Sequence, residues 1–386
     1  MYQTLLKQIR EIQDFGEAAV PLHAPVFTGN EKAYVLDAIE STYVSSVGKY
    51  VDRFEDMLCR ITGAARAVAC CNGTCALEMA VRIAGVGEGD AVITQAISFV
   101  ATANAVAHVG ASPVFVDIDR ATLGLSPQAL RNFLEAECRL ENGVCVLKES
   151  GQRVAACVPM HTFGLPADMA GILSVCEEWH IPVIEDGAEA LGSRYRGRHC
   201  GTLGKLGILS FNGNKTITTG GGGAILTNDE ALGTCAKHLT TTAKVPHPYL
   251  YRHSAVGWNY RMPNLNAALG CAQLEQLDSF LAVKRERAAA YAELFAAHDW
   301  DFVAEPPETT ANYWLCAVLT GNRAERDRFL EEANQSGLGC RPVWEPLHTL
   351  PMYKGCRHGS LETTADIAAR LVNLPSGVGE GFAHAR

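Results

Sequence analysis

Seven short β-prone runs between about residues 64 and 230 constrain the fold more than any other feature of this chain. The predicted strands are AVAC (67–70), AVIT (91–94), PVFVD (113–117), AACVPM (155–160), PVIED (182–186), GILSF (207–211) and GAILT (223–227). Several are separated by segments with apolar residues at helical spacing, such as TCALEMAVRIAG (74–85). Repeated β-then-α units predict a mostly parallel seven-stranded sheet that is covered by helices on both faces.

The pattern changes after about residue 265. NLNAALGCAQLEQLDSFLAVKRERAAAYAELFAAH predicts one long helix or two abutting helices, YWLCAVLT (313–320) predicts a strand, and RAERDRFLEEANQSG (323–337) predicts another helix. We therefore predict two domains. Residues 1–264 form an N-terminal segment and a large α/β domain, and residues 265–386 form a smaller α+β domain.

Composition excludes several classes of protein. The net charge is −9 with acidic and basic residues interspersed, which argues against nucleic acid as a main partner. No apolar stretch approaches the roughly 20 residues of a membrane helix. The N-terminal MYQTLLKQIREIQDFG, with apolar residues from Leu5 to Phe15 at helical spacing and charges between them, predicts an amphipathic helix rather than a signal peptide. Fourteen scattered cysteines without zinc spacing favour reduced thiols in the cytoplasm and no metal site.

A lysine beside a glycine-rich run invites comparison with nucleotide-binding loops. A P-loop requires glycine immediately before the lysine, but Asn214 precedes Lys215. No G-x-G-x-x-G follows an early strand either. The sequence therefore predicts neither a triphosphate-hydrolase loop nor a dinucleotide-binding loop.

Asp186 and Lys215 follow two strands of the predicted sheet, at the carboxyl ends where such sheets bind ligands. Alone, Asp186 could bind a metal, cap a helix or accept a hydrogen bond from a protonated ring nitrogen. An acid and a lysine at the same edge match pyridoxal phosphate chemistry. In that chemistry the lysine forms a Schiff base with the aldehyde, and the aspartate keeps the pyridine nitrogen protonated.

A phosphate anchor and a stacking face are also present among the candidates. Gly73 and Thr74 lie between a strand and a helix, where free N–H groups and the threonine hydroxyl would hold an anion. An ordinary turn with a threonine cap is the alternative. Ser210 is a further candidate phosphate donor, and Phe99 could stack on a flat cofactor or belong to the core.

Taken together, NGTCALEMA, ISFVATANA, VIEDGAEALGS, GILSFNGNKTITTGGGGAILTN and GWNYRMPNLNAALGCAQLEQLD resemble the sugar aminotransferases of the DegT/DnrJ/StrS family. The resemblance runs from about residue 20 to 375 and implies a pyridoxal phosphate-dependent transferase of fold type I. It also implies a cofactor that passes through pyridoxamine phosphate, and homodimers with shared active sites.

The same resemblance assigns roles to individual residues. Lys215 would form the Schiff base, and Asp186 would contact the pyridine nitrogen. Glu189 falls near the phenolic oxygen, where glutamine or histidine is usual. Gly73, Thr74 and Ser210 would hold the phosphate, and Phe99 would lie beside the ring. Asn259 would contact the phosphate from the neighbouring subunit.

A narrower resemblance is to the branch that makes 4-amino-4,6-dideoxy sugars on the way to legionaminic acid. It rests on the segments at 21–55, 159–164, 238–249 and 340–344. It implies a UDP- or GDP-linked 4-keto-6-deoxy-N-acetylhexosamine as substrate and glutamate as amino donor. A GDP-perosamine-synthase-like or other sugar aminotransferase is the alternative. Related dehydratases carry histidine instead of the Schiff-base lysine, so Lys215 favours amino transfer over dehydration or a non-catalytic role.

Six residues are candidates for substrate contact. Val47, Gly48 and Lys49 lie where the family's early loop approaches the nucleotide sugar, and Lys49 meets either a phosphate or solvent. His161 either touches the substrate or is a histidine hydrogen-bonded behind the site. Arg261 and Arg341 are candidates for the donor's carboxylate or the sugar's diphosphate, because such groups favour bidentate arginine.

Overall fold

The computed structural model describes residues 2–13 and 18–379. Phe15, which the sequence predicts on the first helix, lies outside the described residues. The described helices are α1 (Gln3–Gln13), α2 (Glu31–Glu40), α3 (Lys49–Thr62), α4 (Gly73–Ile83), α5 (Ala101–His108), α6 (Pro127–Glu137), α7 (Met169–Glu178), α8 (Glu230–Thr240), α9 (Asn264–Leu274), α10 (Leu277–Ala296), α11 (Arg323–Gln335) and α12 (Glu362–Arg370).

The described strands are mostly short. In chain order they are β1 (Arg66–Cys70), β2 (Ala91–Gln95), β3 (Ser112–Val116), β4 (Cys138–Glu141), β5 (Val144–Leu147), β6 (Val154–Val158), β7 (Ile184–Asp186), β8 (Arg194–Tyr195), β9 (Arg198–His199), β10 (Leu206–Ser210), β11 (Gly223–Thr227), β12 (Lys244–Val245), β13 (Arg252–His253), β14 (Asp301–Phe302), β15 (Thr309–Thr310), β16 (Cys316–Leu319), β17 (Arg341–Pro342) and β18 (Leu371–Leu374).

The seven predicted strands form the central sheet in the order β3-β2-β6-β7-β10-β11-β1. The β6 and β7 segments are joined by parallel bridges from Cys157 to Val183 and from Met160 to Asp186. Strand β11 runs antiparallel to both of its neighbours, and the other six strands share one direction. The mostly parallel seven-stranded sheet is therefore confirmed. Its parallel strands β7 and β10 end side by side, which brings Asp186 and Ser210 to the same edge.

Alternate residues of the sheet pack on opposite faces, as the pleat of a strand requires. Val68 and Ile208 belong to the apolar cluster that includes α4, whereas Ala69 and Leu209 belong to the cluster that includes α3 and α9. In the second cluster Phe54 packs edge-to-face on Phe211, with ring centroids 5.1 Å apart. Both rings are fully buried. This packing fixes the start of the loop that carries Lys215.

A second sheet lies in the C-terminal part of the chain, with the order β14-β16-β18-β17 and antiparallel pairing throughout. Its cluster includes Tyr291 of α10 and Phe329 of α11, and α1 contributes Leu5 and Ile9 to the same cluster. The predicted N-terminal helix therefore packs against C-terminal elements. The long helical segment is two helices, α9 and α10, of which α9 packs with α2 and α3. The division at residue 264 stays a prediction.

Within residues 2–13 and 18–379, no helix is long and apolar enough to cross a membrane. The same residues contain no group of three or more histidine, cysteine or acidic side chains that could hold a metal ion. All fourteen cysteines are free thiols, and nine of them are buried.

Candidate active site

A cavity of about 320 Å³ opens at the carboxyl ends of β7 and β10. This volume lies within the range of sites that hold a small cofactor or ligand, roughly 300–1,000 Å³. Seven residues predicted from the sequence line it together: Gly73, Thr74, Phe99, Asp186, Glu189, Ser210 and Lys215. The other lining residues include Asn72, Thr102, Met160, Asn212, Asn214, Gly222, Trp314 and Trp344.

One end of the cavity is formed by the start of α4. Asn72 caps this helix, because its side-chain oxygen accepts a hydrogen bond from the Cys75 N–H at 2.8 Å. The first N–H groups of a helix have no partner inside the helix and carry partial positive charge. A Cβ atom on Gly73 would come within 2.9 Å of the Ser210 Cβ. Glycine thus lets the helix start approach Ser210, and the two form a cradle suited to an anion.

Asp186 ends β7 and presents its carboxylate to the cavity from a buried position. Its Oδ2 accepts a hydrogen bond from the Thr102 hydroxyl at 2.7 Å. Its Oδ1 accepts one from the Ala188 N–H at 3.1 Å. Both oxygens are therefore held by the protein, and the orientation of the carboxylate is fixed.

Lys215 lies in the turn that follows β10, with its amine between an acid and an aromatic ring. Its Nζ is 3.1 Å from the Glu189 Oε1 and 3.9 Å from the centroid of the Trp314 ring. The indole N–H of Trp314 donates to the Asn214 carbonyl at 2.6 Å, which holds the ring beside the lysine. Only 13% of the lysine side chain is exposed. The amine therefore meets the cavity rather than bulk solvent.

Glu189 is a buried carboxyl in direct contact with this amine. Its Oε2 accepts a hydrogen bond from the Phe163 N–H at 2.8 Å, and Phe163 has a left-handed φ of 58°. Burial raises the pKa of Glu189 to about 7, although the charge of Lys215 opposes the rise. The group therefore changes charge near neutral pH.

The glycine run that follows Lys215 packs against the helix start. A Cβ atom on Gly223 would lie 2.4 Å from the Asn72 carbonyl oxygen and 2.7 Å from the Gly73 nitrogen. Gly222 lines the cavity itself. These glycines allow β11 to lie directly against the cradle, where a side chain would displace the backbone.

Asn259 and Arg261 lie outside this cavity. The Arg261 guanidinium donates to the Asn259 Oδ1 at 2.9 and 3.0 Å. Arg261 also lines an open pocket of about 620 Å³, together with Val47, Lys244 and His247. The structure therefore brings two of the predicted substrate residues, Val47 and Arg261, to a common basic pocket.

Gly48 and Lys49 lie at the start of α3. Gly48 packs against the side chain of Asn264, whose Oδ1 accepts a hydrogen bond from the Tyr50 N–H at 3.0 Å. The Lys49 Nζ is 2.9 Å from the Asp37 Oδ2, and 68% of the lysine side chain is exposed. Lys49 thus has an acidic partner in the isolated chain.

His161 and Arg341 do not line the cavity. His161 is fully buried, with its Nε2 2.9 Å from the Glu185 Oε2 and its Nδ1 accepting from the Ala167 N–H. These contacts fit the alternative of a histidine hydrogen-bonded behind the site. Arg341 donates to the Asn334 side chain and to the Cys340 carbonyl.

Sequence reasoning missed two side chains that contact the central residues. Thr102 lies in ISFVATANA, and a hydroxyl in the first turn after a strand is the only signal that could have indicated it. Trp314 lies in the strand-like YWLCAVLT of the C-terminal part. Nothing in the local sequence shows that this ring meets Lys215, because the contact joins residues about a hundred positions apart.

Comparison with known proteins gives consistent matches over nearly the whole chain. The model of the DegT/DnrJ/EryC1/StrS aminotransferase family matches residues 26–381. The GDP-perosamine synthase of Escherichia coli O157:H7 is 36% identical over 363 residues, covering 92% of this chain and 93% of the relative. That of Caulobacter vibrioides is 36% identical over 365 residues, covering 93% and 94%.

Solved structures are similar over the same extent. The aminotransferase TlmJ from Streptoalloteichus hindustanus superimposes with a TM-score of 0.84 at 28% identity, covering 93% of this chain and 94% of that chain. DesV of S. venezuelae, solved in complex with a ketimine intermediate, gives a TM-score of 0.80 at 27% identity, covering 90% and 89%.

Proposed function

Because the chain belongs to the DegT/DnrJ/EryC1/StrS aminotransferase family, we propose that it aminates C4 of a UDP- or GDP-linked 4-keto-6-deoxy-N-acetylhexosamine, with L-glutamate as donor. The cofactor of these aminotransferases is pyridoxal 5′-phosphate, and the chain has their fold type I architecture. The proposed product is an amino sugar for legionaminic acid or a related surface polysaccharide.

One observation carries the proposal: Lys215, Asp186 and the start of α4 line a single cavity. The donor set fits the cofactor group by group. The cradle of Gly73, Thr74 and Ser210 suits its phosphate, Asp186 suits its ring nitrogen, and the Lys215 amine suits its aldehyde. Pyridoxal phosphate supplies an electrophilic carbon and a ring that withdraws electrons from the substrate.

Phe99 is proposed to lie against the cofactor ring. Its side chain is 51% exposed although it lines the cavity, and its ring is 6.3 Å from that of Trp344. A flat cofactor stacked on this ring would bury its exposed apolar surface. This exposure supports a stacking role over a place in the core.

Lys215 is proposed to act twice. Its amine would hold the cofactor covalently in the resting enzyme, and the free amine would serve as a general base after the amino donor has bound. As a base it removes the proton from the donor's Cα and returns a proton when the sugar ketone is aminated. Trp314 and Glu189 flank its Nζ at the wall of the cavity. Because the amine is held close to the reacting carbon, a single lysine can carry out both proton transfers.

We also propose that the enzyme is a cytoplasmic homodimer with shared sites, in which Asn259 reaches the partner's cofactor phosphate. The segment before Asn259 supports this, because Tyr249, Tyr251 and Val256 are each at least 80% exposed. Exposed apolar side chains of this size commonly mark a protein interface. Fourteen free thiols are consistent with a reducing compartment.

The basic pocket is proposed to contribute to binding of the nucleotide-sugar diphosphate. Arg261 and Lys244 give it positive charge, and His247 and Val47 also line it. Gly48 and Lys49 follow Val47 directly, so the same loop would approach the sugar. His161 and Arg341 do not line the cavity, so the geometry gives no support to their predicted contacts with the substrate or the donor.

A GDP-perosamine-synthase-like reaction is the second candidate function. It is favoured by the two relatives of that name at 36% identity. The two candidates differ in the N-acetyl group of the sugar, and only the first also allows UDP as the nucleotide.

A substrate panel tests both candidates. The holoenzyme is incubated with glutamate and with UDP- and GDP-linked 4-keto-6-deoxy sugars, each with and without the N-acetyl group. NMR of the product identifies the aminated carbon and its configuration. Amination of C4 in an N-acetylated sugar supports the first candidate, and amination of only the GDP sugar without that group supports the second. If no nucleotide sugar is aminated while simple keto acids are, the proposed substrate class is wrong.

A further inference from the structure

We propose that Thr102 is a positioning residue for Asp186, and that Ser98 orients the Thr102 hydroxyl for this task. Together they hold the carboxylate aimed at the cofactor's ring nitrogen. The inference rests on the aminotransferase site proposed above but not on which sugar is the substrate. Thr102 donates to the Asp186 Oδ2 at 2.7 Å, and Thr102 and Ser98 have their hydroxyl oxygens 2.6 Å apart.

Counting protons gives this chain of hydrogen bonds a direction. An ionised carboxylate only accepts hydrogen bonds, so the single hydroxyl proton of Thr102 points to Asp186. The bond between Thr102 and Ser98 then needs the proton of Ser98. The other neighbour of that hydroxyl is the Met160 sulfur at 3.0 Å, a weak acceptor. The hydrogen bonds therefore run in one direction: the Ser98 hydroxyl donates to Thr102, and the Thr102 hydroxyl donates to Asp186.

Burial makes this order important. Ser98, Thr102 and Asp186 are 0%, 1% and 3% exposed. Burial disfavours a charged carboxylate, whereas hydrogen bonds to its oxygens favour it. Thr102 on Oδ2 and the Ala188 N–H on Oδ1 supply two such bonds from opposite sides. They also fix the carboxylate plane, which leaves the remaining lone pairs for an N–H donor in the cavity.

Thr102 also contributes to the fold through its backbone, because its N–H donates to the Phe99 carbonyl at the start of α5. A test must therefore separate the hydroxyl from the fold. Thr102→Val removes the hydroxyl at nearly constant shape, and Thr102→Ser keeps it. Thr94→Val is the matched control, because Thr94 is a fully buried threonine whose hydroxyl donates to the Val158 carbonyl at 2.7 Å and does not line the cavity.

The readout is ¹⁵N NMR of pyridoxal phosphate labelled at its ring nitrogen, bound to each variant without substrate and titrated with pH. We expect Thr102→Val to lower the pH at which half of the ring nitrogen loses its proton by about one unit, a tenfold change. Ser98→Ala should shift it in the same direction by less. Thr102→Ser and Thr94→Val should titrate like the parent. The kcat of Thr102→Val with glutamate should fall by a similar factor, with little change in KM.

Three results would overturn the inference. One is a parental titration in Thr102→Val, and another is an equal shift in Thr94→Val, which would make the effect structural. The third is a ring-nitrogen titration in Ser98→Ala that equals that of the parent. This result decides the question if Thr102→Val does not fold. Because no sugar is present, a wrong sugar assignment leaves the ¹⁵N result unaffected. If the cofactor does not bind the parent enzyme at all, the proposed function itself is refuted.

Discussion

The Lys215 Nζ lies 3.1 Å from the Glu189 Oε1, and only 1% of the Glu189 side chain is exposed. The resemblance to the family leads one to expect glutamine or histidine at this position, with glutamate in one subgroup. Here the neighbour of the Lys215 amine is a carboxyl whose pKa is raised by burial to about 7. The charge around Lys215 therefore depends on pH, and so does the cost of folding around this pair.

The pH dependence of stability tests this pair. Burial raises the pKa of Glu189 from an ordinary value of 4.5 to about 7. Between these two values the folded state keeps a proton that the unfolded state has lost, so Glu189 makes stability fall as pH rises through this window. Above pH 7 this loss of folding stability is complete, and it lowers the free energy of unfolding by at most about 3 kcal/mol. Glu189→Gln should remove this loss in urea unfolding of the cofactor-free protein.

The matched variant for that experiment is Lys215→Met. The charge of Lys215 holds the pKa of Glu189 down, so its removal should extend the loss of stability to higher pH. An identical pH profile for Glu189→Gln and the parent protein would show that Glu189 does not titrate in this range.

Substitution of Lys215 tests the covalent role directly. We expect Lys215→Ala to lower turnover by at least about 1,000-fold and to lose the visible absorption of covalently bound pyridoxal phosphate. Lys205→Ala is the control, because Lys205 is exposed and lies next to the opposite end of β10. Stopped-flow assays and absorption spectra of both variants provide the measurement. Near-parental turnover in Lys215→Ala would refute the assignment.

Local patterns predicted the central sheet because each strand is marked by its own residues. The strand ends then indicated the site, since parallel strands bring residues such as Asp186 and Ser210 to one edge. Trp314 was missed because its contact with Lys215 is set by how the C-terminal part folds back. The hairpin of β4 and β5 was also missed, although its turn at Asn142 and Gly143, both with positive φ, is a strong local hairpin signal.

Asp186 and Glu185 are neighbours with separable roles. Asp186→Asn should leave the melting temperature nearly unchanged and reduce kcat by at least about 100-fold, because a neutral amide cannot stabilise a protonated ring nitrogen as a carboxylate does. Glu185 faces away from the cavity and accepts from the N–H groups of Gly201, Leu203 and Gly204 at 2.8, 2.6 and 2.7 Å.

Glu185→Gln should therefore act on stability. Its amide has one accepting oxygen where the carboxylate has two, so at least one buried N–H loses its partner at a cost of about 1–3 kcal/mol. Thermal unfolding and single-turnover rates of both variants provide the comparison. Unchanged stability in Glu185→Gln, or parental kcat in Asp186→Asn, would contradict this division of roles.

The glycine run after Lys215 offers a matched pair of substitutions. A Cβ atom at position 223 would meet the Asn72 carbonyl at 2.4 Å, which is backbone and cannot rotate away, whereas one at position 221 meets only the Cys71 carbonyl at 3.9 Å. Gly221 does not have a positive φ, so alanine is compatible with its backbone. Gly223→Ala must displace either β11 or the start of α4.

We therefore expect Gly223→Ala to raise the Kd of the apoenzyme for pyridoxal phosphate at least about tenfold, or about 1.4 kcal/mol. Gly221→Ala should bind like the parent. Fluorescence titration measures both constants, and competition by inorganic phosphate shows whether the anion cradle is the part that is lost. The competing phosphate should bind Gly223→Ala more weakly by a similar factor. Equal affinities of the two variants would mean that close packing of β11 on Asn72 does not shape the cradle.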